Sequence, residues 1–372
     1  PLGECCNILD GKRKPITKGA RQSGPYPYYG ANGIQDWVAN YIFDGTYVLI
    51  GEDGSVITPN GTPVVNWAQG KIWVNNHAHI IAEKTGVLLR FLFYYIQIID
   101  IHNLVHGNIP KLTQGDLKDL EIPVPPLPVQ EEIVRILDTF TELQAELQAE
   151  LQKRQQQYNF YRDNLLNFNR GGQEIKWIKL KDVAIQWYRG AGIKRDEVGK
   201  EGTPCIRYGE IHTTYNIWFK KCISHTDEYK QATKKYAEYG DILFAITSED
   251  IPLVGNSVAY LGKEKILVGG DIVVMKHNQD PKYMAYALST SDAIKQKGKG
   301  KVKSKVVHTN VPSLQEIVIP IPPIEEQQRI ADILDRFDTL TNDLTSGLPA
   351  EMEKRRQQYE YYRDRLLTFK RL

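Results

Sequence analysis

The chain has 372 residues, 41% of them hydrophobic and 25% charged, with a formal net charge of +2. That is enough chain for two domains with full cores and an ordinary composition for a soluble protein, and so small a net charge does not by itself point to nucleic acid. The most apolar run, VLLRFLFYYIQII (87–99), carries Arg90 and is too short to span a bilayer, so it reads as a buried helix and no membrane partner is expected. Cys5, Cys6, Cys205 and Cys222 form no C-x-x-C pair, which argues against zinc and fits a reducing cytoplasm. No signal peptide is visible at the start given, which is Pro1 rather than Met.

Charge is uneven along the chain. Residues 171–323 carry 23 basic against 17 acidic residues, a net of +6, while 1–126, 127–170 and 324–372 are each slightly negative. Any basic footprint is therefore local.

The first block, 1–126, opens with a strand-like PLGECCNI (1–8). A basic loop follows, with Lys12, Arg13, Lys14, Lys18 and Arg21 directly before YPYYGANG (26–33). Cations among aromatics and amides suit nucleic acid, because Lys and Arg neutralise phosphates while Arg, Asn and Gln read base edges. Tyr28 and Asn32 join the candidates. A glycine-punctuated strand, GTYVLIGEDGS (45–55), and an apolar segment, VNNHAHIIAEK (74–84) with Asn75 and His77, come next. After the helix-like run, HGNIP (106–110) with His106 precedes Lys111, and Asn75, His77 and Lys111 are further DNA-binding candidates of this block.

A long helix is predicted over 127–170. Prolines 123, 125, 126 and 128 hold its entry extended, and Pro128 suits the first helical position. From there alternating four- and three-residue steps pick out Ile133, Leu137, Phe140, Gln144, Leu147, Leu151, Arg154, Tyr158, Tyr161, Leu165 and Phe168. That is a heptad seam uninterrupted by glycine or proline, the pattern of a coiled-coil helix. Gly171–Gly172 is the predicted stop.

The second block, 171–323, has its own strand-like opening, WIKLKDVAIQ (177–186), and basic positions Arg189, Lys194, Arg195 and Arg207. It too has a punctuated strand with an acidic turn, YGDILFAITSED (239–250), then LVGGDIVVMK (267–276) and a helix-like stretch. KQKGKGKVKSKVVH (295–308) places Lys295, Lys297, Lys299, Lys301, Lys303 and Lys305 at every second residue. In an extended chain these lie on one face about 6.5–7 Å apart, close to the phosphate spacing. A solvated loop is the alternative. HTNVP (308–312), with His308, echoes HGNIP.

The last segment, 324–372, repeats the first helix. IPIPPIEEQQRIADILD (319–335) matches IPVPPLPVQEEIVRILD (122–138) at nine of seventeen positions, and KRRQQYEYYRDRLLTF (354–369) matches KRQQQYNFYRDNLLNF (153–168) at eleven of sixteen. Its seam runs through Ile330, Leu334, Phe337, Thr341, Leu344 and Leu348, then Met352, Arg355, Tyr359, Tyr362, Leu366 and Phe369. A four-residue slip at Ser346–Pro349 predicts a kink or break. The chain is thus a duplication. The expected fold is α+β: two mixed α/β blocks joined by two long helices that pair as an antiparallel coiled coil, with pseudo-twofold symmetry. The alternative is that each helix packs on its own block.

Catalytic signatures are absent: no G-x-x-x-x-G-K-[ST], G-x-G-x-x-G or H-E-x-x-H, and no Asn/Asp-Pro-Pro-Tyr stretch. Glu52, Asp53, Glu249 and Asp250 read as turn residues after strands rather than a metal or nuclease site. His77, His79, His106 and His308 lack ligand spacing, so core or loop roles are expected.

The repeated I-P-[VI]-P-P-[LI]-x-x-Q stretches, the long helices behind them, YPYYGANG and the paired H-x-N-[IV]-P together resemble the specificity subunit of type I restriction–modification enzymes, over essentially the whole chain. The resemblance implies two target recognition domains docking on double-stranded DNA, each reading one half of a bipartite asymmetric site in the prokaryotic cytoplasm. It implies that the helices set the half-site spacing and hold two modification (methyltransferase) subunits, with restriction (translocase/endonuclease) subunits joining outside. It also implies no catalytic residue, cofactor or metal in this chain. The rival reading is a non-catalytic coiled-coil tether carrying two protein-binding domains.

Overall fold

The computed structural model describes residues 1–105, 107–168, 175–302, 305–342 and 347–369. The chain divides into two compact units, Pro1–Glu146 with Met352–Leu372, and Leu147–Glu351. These borders fall inside helices, whereas the division expected from sequence falls at the two proline-rich helix entries and at Gly171.

In the first unit six strands lie in the spatial order Asn7–Ile8, Ala78–Ala82, Phe43–Gly51, Val65–Val74, Ser23–Gly30, Gly33–Val38. Successive side chains of a strand point to opposite faces. Phe43–Gly51 uses this to serve two cores, with Val48 and Ile50 in one cluster and Tyr47 and Leu49 in the other. Strand-like PLGECCNI is a strand only at Asn7–Ile8; Leu2–Cys5 is a helical turn that buries Leu2 and Cys5 three residues apart. The apolar run forms the helix Leu89–Ile96, which buries Leu89, Phe91, Leu92, Tyr94 and Ile96.

The second unit holds two five-stranded sheets. One runs Trp218–Phe219, Ser257–Tyr260, Ile242–Ala245, Ile272–His277, Ala184–Arg189. Here Ile242–Ala245 repeats the two-sided device, with Ile242 and Phe244 in one cluster and Leu243 and Ala245 in the other. The helix Pro281–Leu288 starts at Asp280, whose carboxylate accepts from the Tyr283 amide at 2.8 Å.

The long helix is Leu127–Leu165. The second copy comprises two helices, Ile324–Asn342 and Leu348–Leu366, the latter with Pro349 in its first turn, where a missing amide costs nothing. Gly347 lies between them; Leu344, Ser346 and the predicted Gly171–Gly172 stop lie outside the described residues.

The seam residues do two jobs. Ile133 and Leu137 are buried in the first unit's core, and Ile330 and Leu334 in the second's, as the alternative of each helix packing on its own block expects. Beyond them, helix meets helix. Inside the first unit Phe140 stacks on Tyr362 at 5.5 Å and meets Tyr359 edge-on at 6.4 Å, with Leu366 and Phe369 against the same core. Inside the second, Tyr161 stacks on Phe337 at 5.6 Å, with Tyr158, Leu165 and Phe168 nearby in the core cluster. Rising numbers on one helix meet falling numbers on the other, so the pairing is antiparallel. Leu147 and Leu151 are half-buried.

Each helix entry is fastened to its unit by the same residues. Gln130 accepts from the Leu88 amide at 2.9 Å and donates to the Pro125 carbonyl at 2.7 Å. Gln327, at the matching repeat position, accepts from the Asp280 amide at 3.0 Å and donates to Pro322 at 2.8 Å. Leu88 and Asp280 are the residues that cap Leu89–Ile96 and Pro281–Leu288. Two turns on, Asp138 and Asp335 receive hydrogen bonds from the same two helices.

Candidate nucleic-acid interface

In the first unit, YPYYGANG is a hairpin. Gly30 pairs with Gly33 across Ala31–Asn32, and Gly33 takes a φ of +89°, the conformation glycine tolerates best. Asn32 stands exposed at the tip. Tyr28 is buried, with its hydroxyl bonded to the Ile16 amide at 3.0 Å, and Arg21 lies 4.2 Å over its ring while bonding Asp36 at 3.2 Å. Tyr28 and Arg21 therefore hold the basic loop against the hairpin. The loop is also pinned through the Lys14 carbonyl, which accepts from the Trp73 indole at 2.7 Å, while the Lys12 and Lys14 side chains point to solvent.

Arg13 turns inward. Its guanidinium bonds Glu52 at 2.5 Å, the Ala78 carbonyl at 2.7 Å and the Asp10 carbonyl at 2.9 Å. Fully buried His79 bonds the Asp10 carboxylate at 2.6 Å and the Leu112 carbonyl at 2.9 Å, and Lys111 reaches Glu52 at 3.4 Å. Burial pushes the Asp10 carboxyl up, but hydrogen bonds from His79, the Ile80 amide and Gln114 outweigh it and leave it below the usual range. Asp10, Glu52 and His79 lie close enough to hold a metal ion. The place of a cation is already taken there by Arg13 and Lys111, so the cluster works as a structural ion network. The histidines lacked ligand spacing in sequence because Asp10, Glu52 and His79 come from three separate segments.

Asn75 is buried, accepting from the His77 amide at 2.8 Å and donating to Gln35 at 3.3 Å, and His77 pairs with Asp53. Both shape the turn beside the hairpin. Sequence reasoning missed exposed apolar residues on and just after the edge strand Gly33–Val38. Ile34 and Trp37 are exposed, as is Tyr41, whose ring meets Tyr26 at 5.0 Å under the Lys71 ammonium at 4.8 Å. The signal was available: GIQDWVANYI has apolar residues at both strand parities, more than a one-sided strand requires.

In the second unit, Arg189 and Arg207 converge on one turn. Arg189 bonds the Gly270 carbonyl and the Asp271 carboxylate, the latter at 2.7 Å. A Cβ added at Gly269 would lie 3.8 Å from Arg207 Cγ. Arg207 also pairs with Glu210 at 3.5 Å, and Lys194 reaches Glu197 at 3.9 Å. Arg195 is exposed with no ion-pair partner among the described residues.

The lysine run departs from its expected form. Lys295 and Lys297 belong to the helix Ser291–Gly298, where residues two apart point to opposite sides. Lys297 is buried, donating to the Leu288 carbonyl at 2.8 Å and to Ser257 Oγ at 3.3 Å, so it caps the end of Pro281–Leu288 instead of facing solvent. Thr290 and the periodic Ala293, Ile294 and Lys297 favour a helix there more strongly than alternating lysines favour a strand. Lys299 and Lys305 are exposed and Lys301 is half-buried; Lys303 and His106 lie outside the described residues.

The model of the type I restriction modification DNA specificity domain matches residues 1–154 and again 173–354. The chain belongs to the type I restriction–modification specificity subunits. It is 36% identical to a Haemophilus influenzae chain bearing the name of a type I restriction enzyme specificity subunit, over 99% of this chain and 94% of that one. It is 32% identical to the EcoR124I/EcoR124II specificity subunit of Escherichia coli, over 77% of this chain and 72% of that one. The fold is that of the type I system S subunit from M. genitalium, matched at a TM-score of 0.58 and 15% identity over 100% of this chain and 96% of that one. As a specificity subunit the chain carries its family domain twice, and the two matched segments end in the two helix repeats. Among the described residues no helix is long and apolar enough to cross a membrane.

Proposed function

We propose that each unit reads one half of a bipartite, asymmetric site on double-stranded DNA, and that the chain performs no catalysis itself. The observation that carries this reading is the duplicated fastening of two different surfaces. Gln130 and Gln327, with Asp138 and Asp335, hold each unit to its helix in the same way. The surfaces they support differ: a hairpin tipped by Asn32 beside a loop with Lys12 and Lys14 in one, a glycine turn beside Arg189 and Arg207, with Arg195 exposed, in the other. Equal mounting with unequal loops suits recognition of two unrelated half-sites by one kind of contact.

In this reading 1–126 and 171–323 are the recognition domains, and 127–170 and 324–372 are the spacers that set the half-site distance and dock two modification subunits. Restriction subunits join that assembly. Exposed aromatics recur on the two helix repeats at two matching positions, Phe160 with Tyr361 and Tyr161 with Tyr362, which suits two copies of one partner.

The test is co-expression with the modification subunit of the same system, followed by single-molecule sequencing of methylated adenines. A two-part motif with a fixed non-specific gap is expected. Active methylation elsewhere without such a motif would favour the tether with two protein-binding domains.

A further inference from the structure

The second unit contains a cationic cleft of about 850 Å³ that none of the sequence candidates enters. Its lysines come from two turns. The strands Trp218–Phe219 and Ser257–Tyr260 are parallel neighbours, so the chain leaves both at the same end of the sheet, into Lys220–Lys221 and into Gly262–Lys263. The turns are locked together. The Leu261 amide donates to the Phe219 carbonyl at 2.8 Å, and the Tyr260 hydroxyl donates to the Glu264 carbonyl at 2.7 Å. A Cβ at Gly262 would lie 2.4 Å from the Lys220 carbonyl, so only glycine fits at the point of closest approach.

Part of the charge on this frame is partnered, with Lys220 5.6 Å over the Trp218 ring. Lys282 at the cleft is paired with Asp335, and the nearby Lys265 with Glu238 at 2.6 Å. Lys220, Lys221 and Lys263 have no carboxylate within ion-pair distance among the described residues, and Glu264 is the one acidic residue lining the cleft. The His225 Nδ1 is buried in its wall without a hydrogen-bond partner, and Tyr239 stands 67% exposed at its edge.

We propose that this cleft binds the phosphodiester backbone of the DNA, a proposal that rests on the DNA-reading function above. Ammonium groups held on rigid turns suit phosphate oxygens. The volume is that of a site for a nucleotide-sized ligand or larger, and a planar tyrosine face beside the cations suits a nucleic acid better than a lone anion.

The test uses the full chain co-purified with the modification subunits of its system. Binding to a duplex carrying the mapped motif, and to a non-specific duplex of equal length, is measured from 50 to 200 mM salt. Lys220→Gln, Lys221→Gln and Lys263→Gln together remove three cations, so the affinity lost across that salt range should shrink by about 40-fold on both duplexes if each lysine meets one phosphate. The methylated motif should stay the same, and the three Lys→Arg changes should keep the parent salt dependence. An unchanged salt dependence in the Gln variant overturns the cleft while leaving the recognition reading standing. Loss of binding in the Arg variant as well would mean that the turns, not the charges, were disturbed, and would also overturn the proposal. Absence of salt-dependent DNA binding by the parent complex would overturn both readings. Inorganic pyrophosphate that competes at the cleft without DNA affinity changing in the Gln variant would assign the site to a free phosphate ligand instead.

Discussion

The Tyr94 hydroxyl donates to Asp138 at 2.5 Å, and Tyr286 does the same to Asp335 at 2.7 Å. Each tyrosine lies six residues beyond its helix cap, and each carboxylate also takes a cation from the same helix, Arg90 at 2.7 Å or Lys282. Even the aromatic floor recurs, with Arg90 over Trp67 at 4.7 Å and Lys282 over Trp218 at 4.6 Å. Asp335 additionally accepts from the Trp218 indole at 2.9 Å. Asp335→Ala leaves a buried hydroxyl, an indole and an ammonium without their acceptor, and should cost about 2–4 kcal/mol in urea unfolding. Tyr94→Phe leaves Asp138 with Arg90 and should cost about 1 kcal/mol. Equal losses from the two would contradict the difference in partners.

Arg13 and its neighbours Lys12 and Lys14 should separate by assay. Arg13→Ala takes the guanidinium from Glu52 and Asp10, leaving Lys111 as the cation on Glu52 and His79 beside Asp10, and should lower stability by about 2–4 kcal/mol. Lys12→Ala with Lys14→Ala should leave unfolding unchanged and reduce the salt slope of DNA binding by about 2 if each meets a phosphate. Thermal melts and salt titrations of DNA binding check the pair.

Phe160→Ala and Tyr361→Ala should each weaken capture of one modification subunit. Phe160 is 64% exposed and Tyr361 54%, so neither change opens a core cavity. Native mass spectrometry should find assemblies with one modification subunit in each single variant and none in the double. Full occupancy in the double would remove these aromatics from the docking surface.

Lys297 should make the second unit's stability depend on pH. Burial pushes its ammonium down to about 7 from its usual 10.5. Between those values the unfolded chain holds a proton that the folded chain has released, so stability rises with pH across the window, by at most about 1.4 kcal/mol per unit. Below pH 7 both states are protonated and the charge remains a burden on the fold. Lys297→Met should flatten this dependence between pH 7 and 10, as read by urea unfolding at several pH values.

Adding one or two turns to Leu127–Leu165 should lengthen the gap in the recognised motif by about one to two base pairs per turn, from the helix rise and the base-pair rise. The two specific halves should not change. Methylation mapping of the lengthened chain checks both, and an altered half would contradict a spacer role.

The repeat carried more than the existence of two helices. Gln130 and Asp138 are among its nine identities, and these are the side chains that fasten each helix to its unit. Their partners were hidden: Arg90–Tyr94 and Lys282–Tyr286 share only a cation four residues before a tyrosine. The seam was legible because burial on one face of a helix leaves a period in the sequence. The basic loops were legible only as loops. Whether a cation faces solvent, as Lys12 does, or an internal carboxylate, as Arg13 does, depends on contacts with Glu52 and Ala78 far along the chain. The cleft at Lys220 and Lys263 was invisible for the same reason, since strand pairing alone joins its two turns.

The first unit is discontinuous, Pro1–Glu146 completed by Met352–Leu372, and Tyr359, Leu366, Leu367 and Phe369 pack into the same core as Ile133 and Leu137. During synthesis its opening residues emerge first, yet that core lacks its lid until the ribosome has made the whole of Leu147–Glu351, roughly 10–40 s later at 5–20 residues per second. The order of birth and the order of completion are reversed. The second unit, uninterrupted in the chain, can close while the first still waits with Ile133 and Leu137 uncovered. In the cell that interval is when the nascent chain is most exposed to chaperones, proteases and partners that recognise an open apolar helix face.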